Sequence, residues 1–277
     1  MVRIKKKYIK YIWFYLTKVH NFRMVFEAIY IKLIHRALDE YKKSELAKNK
    51  FSECFIKTEY GKFITSPSFT WFLVAPYYEE KTKQFIDEIV KKDETKDKIF
   101  LNIGANIGVF IVQFGKYFKK NIAIEADPKN FKYLKCNVIL NDLEDRCVLI
   151  NKAAGNEEAE AFFFHNYWKD SSSKIVRDVG QVPERYRKEL IKVKIEPVEK
   201  MFSEDPRKIK LILMDVEGFE LEVLKGMKTI LKSMEKDSYI IIEILEGNKD
   251  KITEFLKDFG FKFEKCLDER NYLFKKV

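Results

Sequence analysis

From residue 99 onward, short apolar runs alternate with stretches of helical period. An apolar run at Ile99–Ile103 precedes a helical stripe over 107–118. A second run at 121–126 precedes Asp127-Pro128, an N-cap carboxylate and a first-turn proline opening a helix to about Asn141. Further runs at 147–151, 211–215 and 239–245 read as strands, with helical segments after the last two. Strands that are apolar throughout are buried on both faces. Alternating with helices, they predict an α/β fold with a doubly wound, mostly parallel sheet. Residues 261–264 and 272–275 flank a charged turn and predict a terminal antiparallel hairpin on the sheet edge. The connection from Ala161-Phe-Phe-Phe164 to Lys192 shows no strand character. It carries His165, Asp170, Arg177, Arg185 and Arg187, and reads as a lid or binding loop.

Upstream the pattern differs. Residues 1–50 contain neither Gly nor Pro, and Ile9, Ile12, Trp13 and Leu16 recur at helical spacing, as do Val25, Phe26, Ile29 and Leu33. A helical N-terminal segment is predicted. Residues 51–95 form a small cap: a hairpin around Glu59-Tyr60-Gly61, a break at Ser66-Pro67 and a helix over 79–92. Residues 96–277 form the main domain.

Charge sharpens this division. The chain carries a net +10, yet residues 1–50 hold thirteen of its 53 basic residues and only four of its 43 acidic ones. Basicity is therefore a property of the first segment, where Lys5, Lys6, Lys7, Lys10 and Lys18 interleave with Tyr8, Tyr11, Trp13 and Tyr15. Such a face either packs on the domain with its lysines solvated or lies against a membrane surface. Nucleic-acid binding is the less favoured reading. No apolar run approaches the roughly 18 residues of a membrane span. The four cysteines show no metal-ligand spacing, which predicts reduced, structural thiols in a cytoplasmic protein, with peripheral membrane contact through residues 1–50 as the variant. The sequence gives no oligomeric state.

The chemistry concentrates in Asn102-Ile-Gly104-Ala105-Asn106-Ile-Gly108, where glycines fall on a strand-to-helix turn. Glu125 ends the next strand, placed to accept hydrogen bonds from ribose hydroxyls. That spacing suits nicotinamide and S-adenosylmethionine sites alike. Dinucleotide turns need G-x-G-x-x-G for a pyrophosphate; here Asn106 replaces the second glycine and no third follows in register. At the end of the fourth strand stand Asp215 and Glu217, two residues apart and so on one side of a strand. As candidate catalytic residues they take the proton of an acceptor hydroxyl. Alternatively, with Glu243, they hold a divalent ion, which is not the favoured reading; a further alternative has Glu217 capping the helix after Phe219.

The chain resembles the FkbM-type methyltransferases. The resemblance rests on Asn102 to Gly108, on Ile124-Glu125-Ala126-Asp127-Pro128 with Asn130-Phe131, on Asn137 to Asn141, on Ala153-Ala154-Gly155, and on Asp215-Val-Glu217-Gly218-Phe-Glu220 with Leu224 and Gly226. Weaker blocks at Tyr60-Gly61 and Tyr77 to Glu79 extend it upstream. It implies a class I (Rossmann-like) methyltransferase fold and S-adenosyl-L-methionine as cofactor, bound by Asn102, Gly104, Ala105, Asn106, Gly108, Glu125, Ala126 and Ala153. It also implies methylation of a hydroxyl on a sugar, glycan, glycolipid or related small molecule. Asn102 departs from the family's usual Asp, removing a charge near the cofactor's cationic end. Two rivals stay open: an RNA methyltransferase using the basic N-terminal segment, and a non-catalytic module of the same fold.

Overall fold

The computed structural model describes residues 53–65, 77–92, 94–164, 174–176, 178–245 and 247–277. The helical reading of residues 1–50 falls outside them, as do His165, Asp170 and Arg177.

Strands β1 (Cys54–Lys57) and β2 (Lys62–Thr65) form the expected hairpin, followed by helix α1 (Glu80–Lys91). The winding begins with β3 (Ile99–Ile103), α2 (Val109–Phe114), β4 (Lys120–Ile124), α3 (Pro128–Leu140) and β5 (Cys147–Ile150). The 107–118 stripe is thus only partly α-helix, its last turn being a 3₁₀ turn at Gly115–Tyr117. Asp127 caps α3 as expected, accepting from the Lys129 N–H at 2.8 Å with Pro128 in the first turn. Next come β6 (Ala153–Gly155), β7 (Ala159–Phe164), β8 (Lys174–Val176) and β9 (Ile191–Pro197). The chain then returns through β10 (Ile209–Met214), α4 (Glu220–Lys225), α5 (Lys228–Ser233), β11 (Tyr239–Glu243) and α6 (Lys249–Lys257). It ends in the hairpin β12 (Phe261–Cys266) and β13 (Asn271–Lys276).

The main sheet has the order β12-β13-β11-β10-β3-β4-β5, parallel from β11 to β5, with β13 antiparallel to both its neighbours. Strand order reverses between β3 and β10, so the crevice outside their carboxyl ends is where this architecture binds ligands. Both faces are covered. One carries Leu101, Ile103, Ile212 and Met214 against Val223, Leu231 and Ile252; the other carries Phe100, Leu211 and Leu213 against Ile86, Ile111 and Leu134. Continuous apolar strands follow from this two-sided burial.

A second sheet, β6-β9-β7-β8, was not expected. Its strand β8, and a helical turn at 184–187 outside the sheet, fall within the connection read as strandless. Two of its strands are only three residues long, and β7 and β9 leave much of their length exposed or half-buried. Ile191, Val193 and Ile195 alternate with Lys192 and Lys194 in β9, a period-2 signal weaker than the apolar runs of the main sheet.

Two contacts set the N-terminal elements against the main domain. Asn137 and Asn141, one turn apart on α3, bond the edge of β2: Asn137 Oδ1 accepts from the Ile64 N–H (2.6 Å) and Asn141 Oδ1 from the Lys62 N–H (2.9 Å). Asn137 Nδ2 also donates to the Ile107 carbonyl in the glycine turn (2.8 Å). At the start of α1, Asp268, from the turn between β12 and β13, accepts from the Thr82 N–H (2.9 Å) and hydroxyl (2.8 Å). A carboxylate distant in sequence thus does the work of an N-cap. Replacing it, Asp268→Ala, is expected to cost about 1–2 kcal/mol in denaturant unfolding. No change in midpoint would mean that α1 is held by its apolar face alone.

Candidate active site

Strand register places the site. Ile242, Met214, Ile103, Ile124 and Ile150 lie in one row across β11, β10, β3, β4 and β5. Their successors in the chain are Glu243, Asp215, Gly104, Glu125 and Asn151. One line of strand ends therefore brings three carboxylates and the glycine turn together at the switch point.

The turn after β3 is closed on itself. Gly104 and Ala105 N–H both donate to the Ile124 carbonyl (2.8 and 3.0 Å), and Gly108 N–H donates to the Ala105 carbonyl (2.8 Å). Asn106, with φ 50°, donates its N–H to Glu125 Oε2 at 2.7 Å. A phosphate-binding loop aims such N–H groups at its ligand. Here these four are spent within the protein. Glu125 itself is 6% exposed and ties two turns together, Oε1 accepting from the Asp127 N–H at 2.8 Å. Gly104 has φ 80°, and a Cβ on it would fall 1.7 Å from the Asp215 carbonyl oxygen.

Two cavities meet at this turn. The first is lined by Gly104, Asn106, Glu125, Ala126, Ala153, Asp215 and Glu217, all expected, and by Asn130, Lys152, Phe163, Ile175 and Phe219, which had no assigned role. Phe163 and Ile175 come from the second sheet, which explains why they were missed. The second cavity is lined by Asn102, Gly104, Ala105, Asn106 and Asp215, together with Tyr78, Glu79, Phe110 and Asn271. Gly108 lines neither cavity. It precedes α2 at φ 85°, where a Cβ would meet Leu134 Cδ1 at 2.6 Å, so its role is close packing of the turn on α3.

Asp215 and Glu217 converge, but not by strand alternation. β10 ends at Met214, and Glu217 sits in the left-handed region (φ 49°) ahead of Gly218 (φ 95°). The turn, not the pleat, brings its carboxylate to the site. Phe219, which precedes α4, makes no side-chain cap, and Glu220 Oε1 accepts from the Gly218 N–H at 2.6 Å. Asp215, Glu217 and Glu243 each offer an oxygen within 4.8 Å of the others, a set able to hold a cation. Burial, then the negative charges of Glu243, Glu217 and Glu79, hold the Asp215 carboxyl well above the usual carboxylate range. A carboxylate raised toward the working pH is a better proton acceptor than an ordinary one.

The cleft fits an adenine nucleoside. Asn106 Oδ1, Asn130 Oδ1 and Asp215 Oδ1 are buried acceptors with no hydrogen-bond partner, all lining the first cavity. Buried acceptors left unpaired are costly, and a nucleoside brings donors in its ribose hydroxyls and adenine amino group.

The strand order and the site at its switch point are those of the class I methyltransferase fold. The family model described as the methyltransferase FkbM domain matches residues 102–263, more than half of the sequence, and the chain belongs to this family. Among solved structures it is similar to methyltransferase FkbM from Methylobacillus flagellatus KT, with 17% identity over 65% of this chain and 43% of that one, at a TM-score of 0.45. It is also similar to Trm5b from Pyrococcus abyssi (15% identity, 82% and 55% of the two chains, TM-score 0.43). TYW2 from P. horikoshii in complex with MeSAdo gives 16% identity, 80% and 69% coverage and a TM-score of 0.45. The chain spans less than half the length of the Methylobacillus protein and about half that of Trm5b. No curated protein matches the sequence.

The matched blocks divide by role. Asn102 to Asn106, Glu125 and Asp215 to Glu217 line the cavities, whereas Asn137 and Asn141 fasten the hairpin. Gly226 is also a packing residue: a Cβ there would sit 1.8 Å from the Gly155 carbonyl oxygen, so α4 closes on β6 only without a side chain.

Proposed function

We propose that the chain transfers the methyl group of S-adenosylmethionine to a hydroxyl of a sugar, glycan, glycolipid or related small molecule. The observation that carries the reading is that Asp215 and Glu217 share one cleft with the Gly104–Glu125 turn. Glu125 would hold the ribose, and Ala126, Asn130 and Lys152 to Ala154 would flank the base. The cofactor supplies an activated methyl on a sulfonium. The protein's task is then to align an acceptor oxygen with that methyl and to take its proton, the role given to Asp215 and Glu217. Alignment of this kind is worth on the order of 7–11 kcal/mol of barrier. The family assignment supports the reaction class, and the carboxylate pair supports an oxygen acceptor, since an oxygen nucleophile must lose a proton.

A second reading of the same residues has a divalent ion, held by Asp215, Glu217 and Glu243, acidifying the hydroxyl. The unpartnered Asp215 Oδ1 is the observation in its favour. Full activity in excess chelator would exclude it; loss on chelation with recovery on adding Mg²⁺ would select it.

Cofactor bearing a labelled methyl group, incubated with separated glycolipid, soluble-sugar and RNA fractions, tests the acceptor class. Label is expected in glycolipid or sugar, as an ether stable to mild alkali. Label confined to RNA would overturn the assignment in favour of the rival reading. The basic segment at 1–50 is proposed to act in localisation and not in catalysis. Among the described residues no helix is long and apolar enough to cross a membrane.

A further inference from the structure

The second cavity holds a carboxylate to which the methyl-transfer reading gives no task. It adjoins the nucleoside cleft across Gly104, Asn106 and Asp215, which line both. A cofactor with its base beside Ala126 and its ribose at Glu125 would have its 5′ end on the side of Gly104, which this cavity shares. Beyond its sulfur the cofactor carries an amino-acid tail ending in an ammonium and a carboxylate. Asn102, at the floor of the cavity and 3% exposed, is uncharged. The ionisable side chains here are Tyr78, Glu79 and Asp215, and Asp215 faces the acceptor side as well.

Glu79 reaches the cavity through its backbone. It occupies the left-handed region (φ 47°, ψ 47°) immediately before α1, and its side chain caps nothing in that helix. Asp268 fastens the first turn of α1 beside the cavity. Asn271, a cavity-lining residue, donates to the Thr82 hydroxyl in that turn at 3.2 Å. A hydrogen bond from Tyr78 orients the Glu79 carboxyl. Burial raises Glu79 to about 7 against the lowering effects of Tyr78 and Lys83. Burial lowers Lys83 to about 8, and its charge favours the ionised form of Glu79. The left-handed backbone is unfavourable at a non-glycine residue, and here it accompanies a carboxylate that lines the cavity.

We propose that Glu79, oriented by Tyr78, is the counter-ion for the ammonium of the cofactor's amino-acid tail, supplying the charge that Asn102 lacks. The assignment rests on the reading of the first cavity as the cofactor's nucleoside site.

Calorimetry with two ligands tests it. S-adenosylhomocysteine carries the amino-acid tail; 5′-methylthioadenosine keeps base, ribose and sulfur without it. Glu79→Gln is expected to weaken S-adenosylhomocysteine by about 10- to 100-fold, the range of a lost charge-assisted hydrogen bond, and methylthioadenosine by no more than about twofold. Adding Asn102→Asp to that variant restores a carboxylate to the cavity and is expected to recover most of the loss. If Glu79→Gln fails to fold, Tyr78→Phe takes its place, with the same tail-selective weakening expected. Equal weakening of both ligands would make Glu79 a structural residue, and no change in either would remove it from the site. Failure of Asn102→Asp to restore binding would show that shape, not charge, matters at residue 79. Wild-type protein that binds neither ligand would bring down the nucleoside site, and Glu79's role with it, before any variant is compared.

Discussion

Asp215→Asn and Glu217→Gln are expected to bind S-adenosylhomocysteine almost as wild type does while losing about 10²–10⁴ in turnover, the usual cost of removing a general base. Binding is expected to survive because the residue proposed to hold the ribose is Glu125, a carboxylate fixed between the Asn106 and Asp127 N–H groups. It survives at Asp215 for a second reason. Burial and three neighbouring carboxylates make its charge costly, so an uncharged amide of the same shape is tolerated there. What the amide cannot do is take a proton. If Glu217→Gln keeps full turnover and Asp215→Asn does not, the base is Asp215 alone, and the left-handed turn at Glu217 serves to shape the loop. If both keep full turnover, the carboxylates are not the chemistry, and the proposed role of the cluster fails.

Gly104→Ala is expected to have the larger effect on the molecule as a whole. Its Cβ would lie 1.7 Å from the Asp215 carbonyl oxygen and 2.8 Å from its carbon, both backbone atoms of the adjoining strand end. Relief requires the ends of β3 and β10 to part at the switch point. The left-handed conformation adds about 1–2 kcal/mol for any side chain, and overpacking typically adds 1–3 kcal/mol, so a loss of roughly 2–5 kcal/mol is expected. Because Gly104 lines both cavities, ligand affinity is expected to fall together with the unfolding midpoint. A variant that melts normally and binds S-adenosylhomocysteine normally would show that the two strand ends are not in the close contact described.

Much of this was legible along the chain, for reasons particular residues make plain. Strands buried on both faces leave unbroken apolar runs, so β3, β10 and β11 stand out in the sequence within a residue or two of their bounds. The Gly104 turn and Glu125 were legible because their chemistry is local: a turn admitting no side chain, then an acid at the next strand end. The second sheet was not, because β8 is three residues long and β9 buries only alternate side chains. Convergence of Asp215 and Glu217 was expected for the wrong reason, since a left-handed residue, not strand pleating, brings them together. Tyr78 and Glu79 stood out only as part of a weaker upstream block and were given no place in the site. They arrive there through Asp268, which fastens α1 from the far end of the chain, and no local spacing encodes that contact. Gly108, expected at the cofactor, turned out to be a packing residue against Leu134.

The most direct test of the central claim is calorimetric titration of the full chain with S-adenosylhomocysteine and, separately, with NAD. The N–H groups of Gly104, Ala105, Asn106 and Gly108 are committed within the protein and leave no cradle for a pyrophosphate, whereas Glu125 and the unpaired Asn130 Oδ1 line the cleft proposed for a nucleoside. Saturable one-to-one heat with S-adenosylhomocysteine and none with NAD is the predicted result. Saturable binding of NAD with no heat from S-adenosylhomocysteine would contradict the account at its base.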